Sequence, residues 1–193
     1  MKRISMIALL LTGLAFTGVL VGSAQDEVEH SKAGDSTGLP TKLWKRGLEI
    51  APLPLNLSGR DRKLVGEGSF IVNAQAECNG CHTANINATY LPGGNPFLGQ
   101  PEQINPDTYL VGGNAFGPFV SRNLRPDASG KPAGLTLEQF MEVLRTGRDF
   151  KDIPPSPVLQ VMPWPNYRNM TDDQIRAIYE YLSALPPHAG FPQ

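Results

Sequence analysis

Two thiols and an imidazole carry the densest chemistry in the chain. Cys78-Asn79-Gly80-Cys81-His82 holds the only two cysteines of the 193 residues, with a histidine directly after the second. On a helical turn both thiols lie on one side of the backbone, and His82 follows four positions after Cys78. This C-x-x-C-H order is the spacing of covalent haem attachment: the thiols add to the two vinyl groups of one haem, and His82 binds its iron from the proximal side. Competing uses of the pair fit less well. A disulfide here closes too short a loop to stabilise the fold through chain entropy, and it leaves His82 without a role. A zinc site needs further ligands, and the remaining histidines, His30 and His188, stand in no paired spacing. A thioredoxin-type dithiol expects a βαβ context, which the sequence lacks.

Candidates for the opposite side of the iron are His30, His188, Met141, Met162 and Met170. Met141 falls in the core spacing of Leu137, Phe140, Met141 and Leu144, and Met170 stands at the entrance to the last helix as a staple. Both histidines lie in polar or proline-rich flanks. Met162 is different. It sits in Leu159-Gln160-Val161-Met162-Pro163-Trp164-Pro165, a proline-stiffened loop that can present a side chain at fixed depth, and Trp164 can cover a haem edge there. The ordinary alternative for Met162 is a gap-filling core methionine. A His82/Met162 pair closes both axial positions and suits outer-sphere electron transfer. Arg122 and Asn123 are further candidate haem contacts, as donors to a propionate, with a solvated arginine as the alternative.

Three helices must position these groups. Ser58-x-x-Asp61, Thr136-x-x-Gln139 and Thr171-x-x-Gln174 each read as a capping signal ahead of an apolar periodic segment. Gly147 is placed to stop the second helix, and Pro186-Pro187 the third. Gly66 and Gly68 weaken the first helix unless another helix, the last being the natural partner, approaches closely there. Between the haem site and Thr136, eleven glycines and prolines from Pro92 to Pro118 leave room for turns and short strands near Tyr109-Leu110-Val111 and Phe119-Val120. From Asn79 to Ser121 the only charged residues are Glu102 and Asp107. This long loop is expected to be ordered, to wrap the haem and to supply its apolar wall.

The first residues read as an export signal: Lys2 and Arg3, an apolar run from Met6 to Val21, then Gly22-Ser23-Ala24. Residues 1–24 are read as a signal peptide cleaved after Ala24, with an uncleaved membrane anchor as the alternative. The chain is then periplasmic or otherwise exported, and it meets a membrane only if that segment stays. Its removal takes the formal charge from −1 to −3, so no basic stripe is left for nucleic acid. Residues 25–57 show little periodicity and read as an extension lying against a haem domain over residues 58–188.

Cys78-x-x-Cys81-His82, Met162-Pro163 and a terminal helix ending Tyr181-Leu182-x-x-Leu185-Pro186 together resemble the class I c-type cytochromes, over about residues 58–187. The resemblance implies an all-α, cytochrome c-like helical domain, here with a long Gly/Pro-rich loop insertion, whose first and last helices cross near the haem. It implies that Gly68 and Phe70 pack against Ile178, Tyr181 and Leu182. It also implies a proline carbonyl that accepts the ring proton of the proximal histidine. Pro92 or Pro96 are candidates, but the usual Gly-Pro pair is missing close to the motif and the position stays open. A narrower likeness, in Phe116-Gly117-Pro118-Phe119-Val120-Ser121-Arg122-Asn123-Leu124-x-Pro126-Asp127 and Arg145-Thr146-Gly147, is to cytochrome domains of bacterial periplasmic dehydrogenases. Those often carry several haems, whereas this sequence can attach one.

Three functions follow in order. The first is a monohaem carrier of single electrons between redox proteins, not itself an enzyme. The second is a cytochrome subunit of a periplasmic or membrane-bound dehydrogenase or oxidase. The third, a haem enzyme or gas sensor, needs an open sixth position, against which Met162 speaks. No acid–base pair or nucleophile arrangement defines a substrate.

Overall fold

A computed structural model describes residues 42–150 and 158–190. The expected signal peptide and residues 25–41 of the extension lie outside the described residues. Six α-helices appear in chain order among the described residues: α1 (Leu43–Ile50), α2 (Arg62–Phe70), α3 (Cys78–His82), α4 (Leu137–Thr146), α5 (Trp164–Tyr167) and α6 (Asp172–Ala184). A two-residue hairpin pairs β1 (Ala115–Phe116) with β2 (Phe119–Val120).

Local chemistry sets the helix ends. Thr136 and Thr171 each accept from the backbone N–H three residues on, and Gln139 and Gln174 return a side-chain bond to the cap, so both capping boxes are complete. Gly147 ends α4 at φ 73°, a conformation glycine adopts without strain. The start of α2 differs from the sequence expectation. Asp61, not Ser58, is the cap, its carboxylate accepting from the N–H groups of Lys63 and Leu64. Asp61 suits either role in a Ser-x-x-Asp string, and as the cap it places a carboxylate at the positive end of the helix. Beyond Phe70, α2 continues into a π-helical turn, Ile71–Gln75, closed by the Ala76 N–H on the Ile71 carbonyl at 2.8 Å.

The core lies where α2 meets α6. Val65, Ile71 and Val72 are buried with Ile175, Ile178, Tyr181 and Leu182, and with Phe140 and Leu144 of α4. Full burial of each such side chain contributes about 1.5–3 kcal/mol. The two glycines of α2 stand two positions apart, hence on nearly opposite faces. A Cβ on Gly68 would lie 1.8 Å from the Ala177 carbonyl oxygen in α6, and one on Gly66 2.2 Å from the Trp44 carbonyl oxygen in α1. Both helices therefore reach the α2 backbone. The first approach is the expected one. The second adds detail to the reading of residues 25–57 as an extension lying against the domain: their part from Leu43 to Ile50 is a helix seated on α2 through Gly47.

The Gly/Pro-rich stretch is ordered but only partly as expected. Phe119–Val120 is a strand, whereas Tyr109, Leu110 and Val111 form no strand and are buried in the core, Leu110 at φ 57°. The Leu110 peptide is held by the Asn79 side chain on its N–H and by the Leu124 N–H on its carbonyl, which fixes this left-handed turn against α3. Farther out, Ile86, Phe97 and Leu98 face solvent.

Candidate functional site

α3 is a five-residue helix that exists to carry three side chains. Glu77, in left-handed conformation at φ 50°, turns the chain out of the π-helical segment into Cys78. Cys78 and Cys81 are not disulfide-bonded. Burial, aided by the nearby Cys81 charge, pushes the Cys78 thiol up to about 12, and burial followed by the Glu77 charge raises that of Cys81. Both thiols thus stay protonated at neutral pH, which disfavours a thiolate metal centre or an activated redox nucleophile. Among the described residues no group of three His, Cys, Asp or Glu side chains is arranged to hold a metal ion.

His82 completes the set. Its Nδ1 lies 2.7 Å from the carbonyl oxygen of Arg122. A carbonyl can only accept, so Nδ1 carries the proton and the lone pair is on Nε2, the nitrogen left for a metal. Burial lowers the ring's pKa below the ordinary imidazole value, the Arg122 carbonyl opposing it in part; the neutral, ligating form is favoured. The acceptor is therefore neither Pro92 nor Pro96, but a backbone carbonyl 40 residues downstream. The Gly112 N–H on the His82 carbonyl, at 2.7 Å, ties α3 to the chain on the other side of the hairpin as well. Thr83, the next residue, is fully buried and its hydroxyl has no partner among the described residues. Two unbridged thiols, an imidazole presenting Nε2 and an orphan buried hydroxyl fit a covalently held haem.

The other candidates divide. Met162 is half-buried and packs on the core cluster, which Cys78 also borders. The two neighbourhoods are joined directly: the Tyr167 hydroxyl of α5 donates to the Ala76 carbonyl at 3.0 Å, two residues before Cys78. Burial, then the charges of Cys78, Cys81 and Glu77, push the Tyr167 phenol up to about 12. Trp164 donates from Nε1 to the Leu159 carbonyl and lies against Gly147, so it fastens the Met162 loop to the end of α4. Arg122 is joined to His82 through its carbonyl, while its guanidinium pairs with Asp149. Asn123 is turned to the C-terminal tail, donating to the His188 carbonyl at 2.8 Å. The His188 ring accepts from the Gly190 N–H; Met141 and Met170 pack on the core. His30 lies outside the described residues.

Sequence reading missed a buried polar cluster on the same side of the core. The Tyr109 hydroxyl donates to Asn73 Oδ1 at 2.6 Å and sits 2.8 Å from the Tyr181 hydroxyl, and Asn73 Nδ2 donates to Ser69 and to Tyr181. Asn73, a polar residue in a buried helical register, was the available signal.

The chain is 29% identical to the cytochrome c subunit of the quinone alcohol dehydrogenase of Gluconobacter oxydans (strain 621H), over 72% of its own length and 26% of the relative's. It is 25% identical to the fructose dehydrogenase cytochrome subunit of Gluconobacter japonicus, over 76% of its own length and 27% of the relative's. The aligned part thus spans about a quarter of each relative. No solved structure gives a significant match. The family profile described as cytochrome c matches residues 67–186, from the middle of α2 through the Cys78–His82 helix to the end of α6. Since that match covers most of the chain and contains every element that holds His82, the chain belongs to the cytochrome c family.

Proposed function

We propose that the chain is an exported carrier of single electrons that would hold one covalent haem through Cys78 and Cys81, with His82 and Met162 as the two side chains that would bind its iron. The observation that carries this reading is the His82 Nδ1 bond to the Arg122 carbonyl. It fixes the tautomer and the ring plane before any metal is bound, so that little reorganisation accompanies ligation.

When bound, the haem supplies a one-electron iron couple. The chain's own residues supply the rest. Cys78 and Cys81 are the attachment points, and their high pKa values keep them from competing as thiolate ligands. His82 offers a neutral, oriented Nε2. Met162 offers a neutral thioether from a loop held by Trp164 and Tyr167. Two neutral ligands on a stiff scaffold do not change protonation when the iron changes charge. Burial of Leu110, Tyr109 and Val111 behind α3 excludes water from that side. Arg122, Asn123 and Trp164 remain proposed haem contacts at the edge of the site.

The second reading, a cytochrome subunit of a dehydrogenase complex, is favoured by the names of the two Gluconobacter relatives. In that case the same haem relays electrons from a fixed partner. Among the described residues no helix is long and apolar enough to cross a membrane.

The test is spectroscopic. Chain produced with its leader in a cytochrome-maturing bacterium should carry haem that survives denaturing electrophoresis, and C78A/C81A should lose it. The ferric protein should show the weak long-wavelength sulfur-to-iron band, absent in M162A. Rapid carbon monoxide binding to the reduced parent protein would instead indicate an open sixth position and overturn the electron-carrier reading. Copurification with a dehydrogenase subunit at fixed stoichiometry would select the second.

A further inference from the structure

The carbonyl that holds His82 belongs to a residue whose own side chain is anchored elsewhere. The Arg122 guanidinium pairs with Asp149, whose side chain is only 8% exposed. Asp149 stands two residues after Gly147, the C-cap of α4. The Arg122 peptide is confined from another side as well: a Cβ on Gly112 would lie 2.3 Å from the Arg122 carbonyl carbon and 2.6 Å from its oxygen. The same α4 terminus also grips the Met162 loop. The Leu159 N–H donates to the Gly147 carbonyl at 2.9 Å, and Gly147 has no side chain to keep the Trp164 ring away.

A short segment, Gly147–Asp149, is therefore fastened both to the Arg122 loop, whose carbonyl holds His82, and to the loop that carries Met162. We infer that Asp149 is a positioning residue for His82: by holding the Arg122 side chain at the end of α4 it keeps the Arg122 carbonyl in register with Nδ1, and so sets the orientation and basicity of the ligating ring. This rests on the reading of His82 as an iron ligand. Charge-assisted bonds to a mostly buried carboxylate are among the stronger restraints available to a loop. An acceptor on a histidine's remote nitrogen governs both the plane of the ring and its donor strength.

The experiment uses the full-length, haem-loaded protein and follows the His82 Nδ1 proton by NMR in the reduced state, with the reduction potential measured alongside. D149N keeps the size of the side chain and removes its charge. The Nδ1 proton should exchange with solvent about tenfold faster or more, while backbone amides in α6 exchange as before, and the potential should rise as the ring loses donor strength. D149E should restore the parent exchange rate in large part. A raised potential with unaltered Nδ1 exchange would mean that Asp149 acts only as a distant charge, and the inference would be wrong. Should D149N fail to fold, R122K serves the same purpose, since it keeps the backbone carbonyl and the positive charge but loses the forked grip on Asp149. Failure of the underlying reading looks different: H82A would then still assemble with a parent-like spectrum.

Discussion

Gly68 of α2 lies so close to α6 that a Cβ added to it would stand 1.8 Å from the Ala177 carbonyl oxygen and 2.8 Å from the Tyr181 Cβ. The contact is backbone to backbone, so neither side can yield by changing a rotamer. Alanine at this position gains about 1 kcal/mol of helix propensity over glycine. Overpacking against an immovable carbonyl costs about 3 kcal/mol or more. The second effect wins, and G68A is expected to lower the unfolding free energy by about 2 kcal/mol or more in urea denaturation. An unchanged midpoint would mean that α2 and α6 separate without cost.

The Tyr109–Tyr181 pair gives a second prediction. Tyr109 donates to Asn73 Oδ1, on a half-buried residue, and meets the Tyr181 hydroxyl, both tyrosines being buried. Y109F leaves the Asn73 amide oxygen without this donor and should cost about 1–3 kcal/mol. Y181F should cost about as much or less, because Asn73 Nδ2 keeps its bonds to Ser69. The two losses share partners, so the double variant should be less destabilised than the sum of the singles, with a coupling of about 0.5–3 kcal/mol. Strict additivity in a denaturant double-mutant cycle would show that the hydroxyls do not act as one network.

What the sequence could reveal followed the range of each signal. Cys78, Cys81, His82 and the Thr136 and Thr171 caps are each written within five residues of chain, so type and spacing suffice. The cap of α2 is ambiguous in sequence because Ser58 and Asp61 can each serve, and Asp61 does. α1 was missed because its contact position is Gly47, which reads as a helix breaker until the α2 carbonyl that it admits is seen. Arg122 was singled out for its guanidinium, yet it is the backbone carbonyl that touches His82. Any residue but one with a displaced peptide could offer that carbonyl, so no residue type announces it. The Leu110 turn is opaque for a similar reason: its φ of 57° is imposed by bonds from Asn79 and Leu124, which lie far off in sequence.

The pH dependence of stability should differ between the haem-free and haem-loaded chains. Burial raises Cys78 from 9.0 to about 12 and Tyr167 from 10.0 to about 12, and it also raises Tyr109 and Tyr181. Each group holds its proton longer in the folded chain than in the unfolded one. Its contribution is therefore complete below the unfolded value and is lost as pH climbs toward the folded value. For the haem-free chain, loss should begin as pH passes 9 with the thiol and continue through the tyrosines. A thioether has no proton to lose, so in the haem-loaded protein the decline should start nearer 10. Denaturant midpoints measured between about pH 8 and 11 would check this; identical onsets would show that Cys78 is not buried in the haem-free fold.

Tyr167, on α5 next to the Met162 loop, is tied to the segment that leads into the thiol helix through a single hydrogen bond, 3.0 Å from its hydroxyl to the Ala76 carbonyl. Phenylalanine keeps the ring in place and removes only that tie, at a local cost of about 1 kcal/mol. If Met162 closes the sixth position, that energy is part of what resists its displacement by an added ligand. Imidazole should then bind the ferric Y167F protein up to about fivefold more tightly than the parent, because each 1.4 kcal/mol corresponds to tenfold in affinity. The weak sulfur-to-iron band should persist before imidazole is added, which separates a loosened methionine from a lost one. M162A sets the upper limit, since there imidazole meets no protein ligand. Equal imidazole affinity in Y167F and the parent, with M162A still binding more tightly, would mean that the proline-stiffened loop holds Met162 by itself and that the Tyr167 bond serves only the packing of α5.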